Sequence, residues 1–79
     1  MSFIDDMGMS LADEAIAEAE ASGDEKLVDR IAAMLGASSQ SLEEAYLTGI
    51  RVRRAEARAK EMIAESRKKR TSDAAPSAG

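Results

Sequence analysis

Residues 41–69 contain no proline and, apart from Gly49, are mostly strong helix formers, so the sequence predicts one long helix there. At 1.5 Å per residue such a helix is a rod of roughly 40 Å. The remainder of this 79-residue chain offers two short helical stretches, which are too short to cover the rod. Leu42, Tyr46, Leu47 and Ile50 make the apolar side of its first half. Farther on, Val52, Ala55, Ala59, Met62 and Ser66 repeat at heptad spacing, with Ile63 beside them. The pairs Glu56–Lys60 and Glu65–Lys69 support the outer surface at i,i+4. The heptad seam is either a core stripe covered by the first helix or an interface stripe that pairs with another copy or a partner helix.

Ahead of the rod, Ser10 with Asp13 forms a serviceable N-cap for a first helix over 10–22. Leu11, Ala12, Ala15, Ile16 and Ala19 share its apolar side, and Glu18 and Glu20 lie outward. Gly23 is suited to end it in the left-handed conformation. Asp24 then caps a second helix over 24–35, whose Leu27, Val28, Ile31, Met34 and Leu35 make the densest apolar cluster; Gly36 stops it. Ser39 or Ser41 caps the rod, the latter with Glu44 as a capping box. Phe3, Ile4, Met7 and Met9, set among Asp5 and Asp6 and broken by Gly8, read as a flexible arm or a single docked turn. The small polar residues 71–79 read as a disordered tail. The expected organisation is an arm over 1–9, a helical domain over 10–70 and a tail over 71–79. The fold class is all-α: two short helices and one long basic helix in a small, partly open bundle.

Such a bundle has little to hide. Hydrophobic residues make up 44% of the chain, but 16 of them are alanine and only Phe3 and Tyr46 are aromatic. Alanine buries little area, and chains this short bury a low fraction of their surface. Small scaffolds usually need a staple. The absence of cysteine and histidine excludes disulfides and argues against structural zinc, leaving close helix packing, self-association or a partner. No long apolar run reads as a membrane span, and the start of the chain lacks the features of a secretory signal, so the expected compartment is the cytoplasm.

The net charge of −4 conceals a polarity. Residues 1–30 carry a balance of −7, residues 51–79 a balance of +5, and Glu43 and Glu44 the rest. A chain polarised in this way can fold its acidic part onto its basic part, pair head to tail with another copy, or offer one pole to an oppositely charged partner. Nothing in it is equipped for catalysis: there is no glycine-rich phosphate loop and no nucleophile elbow, and the neighbouring carboxylates Asp5/Asp6, Asp13/Glu14 and Glu43/Glu44 point to different helix faces. No cofactor or metal is expected, since no calcium-loop spacing of oxygen ligands occurs.

Residues 30–42 resemble the core of a helix-turn-helix motif, with an alanine four residues before the turn Gly36 and Leu42 returning to the core. Arg51, Arg53, Arg54 and Arg58 would then hold phosphates, although Glu43 and Glu44 on the recognition helix would repel them. Bases lie all round the rod without large apolar anchors or interleaved aromatics, which disfavours a membrane surface or single-stranded nucleic acid. An acidic protein face fits better. The expected function is non-catalytic protein–protein recognition by a small regulator, adaptor or inhibitor of a larger protein complex. Size, acidity and a thin core suit a phage- or plasmid-borne inhibitor that occupies a nucleic-acid-binding surface. The alternative is a dimeric helix-turn-helix DNA-binding regulator. Expected partner-binding residues are Phe3, Ile4, Asp5, Asp6, Glu18, Arg51, Arg54, Arg58 and Met62.

Overall fold

The computed structural model describes residues 2–78, with side chains described for residues 2–71. It contains three helices and, among the described residues, no strand: α1 (Phe3–Ser22), α2 (Leu27–Ser38) and α3 (Gln40–Ala78). The all-α bundle with a long last helix is as expected; several boundaries are not.

α1 begins seven residues earlier than expected, and it absorbs the arm. Ser2 is its N-cap: the Oγ accepts the Asp5 N–H at 3.1 Å, and the Asp5 carboxylate accepts the Ser2 N–H at 3.5 Å. This reciprocal box satisfies two backbone donors, and Asp5 and Asp6 complement the positive helix end. Gly8 is therefore no break, and Ser10 no cap. The other end is as expected: Gly23 adopts φ 74°, and its N–H donates to the Ala19 carbonyl at 2.9 Å.

α2 is displaced by three residues from the expected 24–35. Asp24 uses its carboxylate in the turn, accepting the Lys26 N–H at 3.1 Å and Arg30 Nη2 at 2.6 Å. It stands before the helix and is not its N-cap, which is Lys26 without a side-chain hydrogen bond. Gly36 does not stop α2. The break falls on Ser39, whose extended backbone separates the two helices. The Ser39 N–H closes α2 on the Leu35 carbonyl at 2.7 Å, while its Oγ caps α3 by accepting the Leu42 N–H at 3.2 Å. A helix-turn-helix needs a turn of three or four residues. Here one residue separates the helices and the supposed turn glycine is helical, so the motif resemblance over 30–42 does not carry into the structure.

α3 is continuous through Gly49. Its backbone is traced to Ala78; the tail expected over 71–79 lies, beyond Thr71, outside the residues whose side chains are described.

The core is Ala12 and Ala15 from α1, Val28, Ala32 and Leu35 from α2, and Tyr46 and Ile50 from α3. Tyr46 is fully buried and is its largest side chain. The Tyr46 hydroxyl donates to the Val28 carbonyl at 2.9 Å, so the one buried phenol is satisfied and ties α3 to the first turn of α2. Burial pushes its pKa above the usual 10.0. Met34, expected in the α2 cluster, is 57% exposed instead; Ala32 takes the inward position between Val28 and Leu35.

Small residues set the α1–α3 approach. A Cβ on Gly8 would lie 2.5 Å from Ala45 Cβ and 2.7 Å from the Tyr46 nitrogen, and one on Gly49 would lie 2.9 Å from Ala12 Cβ. Gly8 and Ala12 of α1 thus rest on Ala45 and Gly49 of α3, each pair four residues apart. Rows spaced by four are the ridges through which helices most commonly interlock. Both glycines lie at that crossing because neither tolerates a methyl group there.

Candidate partner-binding surface

α1 follows the row Ala45, Gly49 and Arg53 along α3, and its last turns share a groove with Ala57. The Asp13 carboxylate fixes this path by accepting Arg53 Nε at 2.7 Å and Nη2 at 3.2 Å. Arg53 also donates to Glu56 at 3.2 Å, and Lys60 approaches Glu56 at 3.6 Å. The guanidinium holds the Asp13 carboxyl below its usual range, chiefly through the hydrogen bond, and the same contact raises Arg53. Both side chains remain partly exposed, at 40% and 46%. The pair therefore fixes geometry more than it adds stability.

The heptad seam lies elsewhere. At about 100° per residue, Val52, Ala55, Ala59, Met62 and Ser66 fall on roughly the opposite side of α3 from Tyr46 and Ile50. Helix α1 does not cover them, so of the two readings of the seam, the core stripe is ruled out within one copy. Val52 is 46% exposed, Met62 65% and Ile63 50%, and Ala55, Ala59 and Ser66 are exposed as well. From Arg54 to Thr71 every residue of α3 is exposed. The radius of gyration is 17.9 Å, against about 12 Å for a compact chain of this length, and the longest dimension is 62 Å. The rod projects well clear of the body.

An open groove of 810 Å³ lies at the base of the rod, where the first turns of α1 stand beside α3. Phe3, Ile4 and Met9 form one wall; Ser41, Ala45, Thr48 and Val52 form the other. Those four α3 residues continue the seam backwards at the same spacing of three and four. Groove and seam are therefore one track on one face of α3, starting at Ser41 and running past Met62. Its basal end is acidic, since Asp5 and Glu44 line the groove and, among the described residues, none that lines it is basic. Its far end is basic, with Arg67, Lys68, Lys69 and Arg70 exposed in sequence.

No family model, curated protein or solved structure matches this chain.

Of the residues singled out in the sequence, Phe3, Ile4 and Asp5 line the groove, with Phe3 75% exposed. Asp5 is also engaged in the Ser2 capping box, and Asp6 and Glu18 are exposed on α1. Arg51 and Arg58, seven residues apart, flank the seam on one side, and Met62 lies in it. Arg54 stands apart, in a second groove of 500 Å³ with Ile16, Ala19, Glu20, Glu25 and Val28. The track brings together Phe3, Ile4, Asp5, Arg51, Arg58 and Met62; it does not include Glu18 or Arg54. Ser41, Glu44, Ala45 and Thr48, which were not among those residues, also line the groove. For Ser41, Ala45 and Thr48 the signal was present, because the heptad spacing from Val52 onward extends back through them, but Leu42 and Tyr46 mark the other face. Among the described residues, no three side chains come together that could hold a metal ion. No helix of the described residues is long and apolar enough to cross a membrane.

Proposed function

We propose that this chain is a non-catalytic protein–protein interaction module, a small regulator, adaptor or inhibitor that acts in the cytoplasm by pairing its projecting α3 with another helix. One observation carries the reading: Val52, Met62 and Ile63 are 46–65% exposed on a heptad-spaced face that α1 and α2 leave uncovered. An isolated helix gains little from propensity alone and draws its stability mostly from packing an apolar stripe. Fully burying one such side chain contributes about 1.5–3 kcal/mol, so covering the exposed parts of three contributes on the order of 3 kcal/mol. Arg51 and Arg58 along the rim favour a partner with acidic positions beside its own apolar stripe.

The test compares proteins of the native cell captured by the immobilised chain with those captured by a Met62→Glu, Ile63→Glu variant. Both substitutions lie on exposed helix surface, so the body stays folded, which circular dichroism verifies. Loss of a stoichiometric partner with the variant is the expected result. Equal capture by both chains, or none by either under conditions where the chain is folded, refutes the proposal.

A further inference from the structure

We propose that the first occupant of this track is a second copy of the same chain, laid antiparallel, so that the basic tip of each α3 sits at the acidic groove of the other. The inference rests on the reading of the seam as a pairing face and adds its partner, its direction and its register.

Charge decides the direction. The track has an acidic base, with Asp5 and Glu44, and a basic end, with Arg67, Lys68, Lys69 and Arg70. A parallel pair sets base against base and tip against tip, which concentrates like charge at both ends. An antiparallel pair sets each tip against the other copy's base and turns both repulsions into attractions. The two bodies then lie at opposite ends of the pair and do not compete for space.

Packing decides the register. Placing Met62 opposite Val52 of the second copy puts Ala59 opposite Ala55 and Ser66 opposite Thr48. Every seam residue meets a seam or groove residue, and the largest exposed side chain of the seam faces the next largest. The same alignment brings Arg67–Arg70 to the level of residues 47–44, beside Glu44 and Asp5. It also brings Arg51 alongside Glu65 on both sides, against one like-charge contact where Arg58 meets its own copy on the twofold axis. Sliding one heptad toward the tip puts Arg70 level with Arg51. Sliding one heptad the other way presses Met62 on Ala45, which Gly8 of α1 already covers. Neither shift keeps both the packing and the charge match. The proposed arrangement gives the exposed apolar rod and the acidic groove a common purpose, since each copy supplies what the other lacks.

The test uses the full chain, which has no cysteine of its own. Sedimentation equilibrium reads the mass, expected at twice 8.4 kDa and falling toward one copy as salt screens the poles. Two exposed single-cysteine variants, Thr48→Cys and Ser66→Cys, are then mixed reduced and oxidised together under mild conditions. The antiparallel register predicts the mixed 48–66 disulfide in several-fold excess over either homodisulfide. A predominance of 48–48 and 66–66 products overturns the direction. A monomer at all concentrations, with the seam-dependent capture described above intact, overturns self-pairing while leaving the interaction module standing; a monomer without that capture overturns both.

Discussion

Replacing Gly8 by alanine tests the helix crossing on which the architecture depends. The added methyl would sit 2.5 Å from Ala45 Cβ, 2.6 Å from the Ala45 carbonyl carbon and 2.7 Å from the Tyr46 nitrogen. Carbon atoms are comfortable at about 3.5–4.0 Å, so α1 must retreat by on the order of 1 Å. Two of the three obstacles are backbone atoms of a continuous helix and cannot rotate away. The retreat loosens Ala12 against Gly49 and unseats the neighbours of Tyr46. Overpacking of this kind costs typically 1–3 kcal/mol, while the better helix propensity of alanine returns at most about 1 kcal/mol. A net loss of about 1 kcal/mol, at roughly 4–8 °C per kcal/mol for a domain this small, lowers the melting temperature by about 6 °C. Gly36→Ala is the control: its methyl meets only the carboxylate end of Glu43, at 2.9 Å, which swings aside. Propensity then dominates, and the melting temperature rises by a few degrees. Gly49→Ala, facing Ala12 Cβ at 2.9 Å and Met9 Cα at 3.2 Å, falls between them. Thermal melts by circular dichroism at matched concentration give the ranking. If Gly8→Ala melts at or above the parent temperature, α1 and α3 do not cross through these glycines.

Three further outcomes follow from the core, the ion pair and the turn. Tyr46→Phe loses the hydrogen bond to Val28 and about 1 kcal/mol of stability in denaturant titrations. Because burial raises the Tyr46 phenol, its contribution is whole below the unfolded value near 10 and is lost as pH rises through the folded one. The phenolate absorbance of this single tyrosine should therefore appear together with unfolding, and appearance at the ordinary pH in a folded protein refutes the buried placement. Asp13, depressed by Arg53, contributes above the usual carboxylate range and loses that contribution as pH falls through its lowered value. An NMR titration should place its midpoint below 3.8, and Arg53→Gln should restore it. Gly23→Ala, forced into φ 74°, should destabilise by about 1–2 kcal/mol in the same denaturant titrations, and a neutral result would contradict the left-handed cap.

What the sequence revealed was local. The Gly23 end of α1 and the inward row of Leu42, Tyr46 and Ile50 depend on nearest neighbours and on the helical repeat, while the Ser39 cap of α3 was one of two, with Ser41, that local pattern left open. The two misread glycines, Gly8 and Gly36, show the limit of such reasoning. Gly8, Gly36 and Gly49 have the same residue type as Gly23, but only Gly23 has a positive φ. Gly8 and Gly49 serve a contact between segments about 40 residues apart, and no local pattern distinguishes that use from a break. Asp24 was recognised as a polar residue that organises a helix start, but it acts three residues ahead of the helix, in the turn before the Lys26 N-cap. Met34 was assigned inward for being apolar, whereas helix phase gives that place to the smaller Ala32. For the surface, the seam was visible as a repeat, but its two fates could not be separated until the path of α1 was known.

That path links the crossing to the proposed pairing. A row of residues four apart advances around a helix by about 40° at each step, because four residues exceed one turn of 3.6. Helix α1 starts beside the seam at Ala45, follows the row through Gly49 and Arg53, and by Ala57 has moved around α3 by roughly 120°. Had the contact followed the heptad spacing, α1 would have stayed on Val52 and Ala55 and covered the seam in one copy. Gly8 and Gly49 lock the four-residue row by admitting only that close approach, and the Asp13–Arg53 contact holds its far end. The same small residues that let a thin core close therefore steer the first helix off the apolar face of the third. Exposure of Val52, Met62 and Ile63 is a geometric consequence of how the body packs, and a variant that shifts the crossing should alter pairing along the rod even though it touches none of the seam residues.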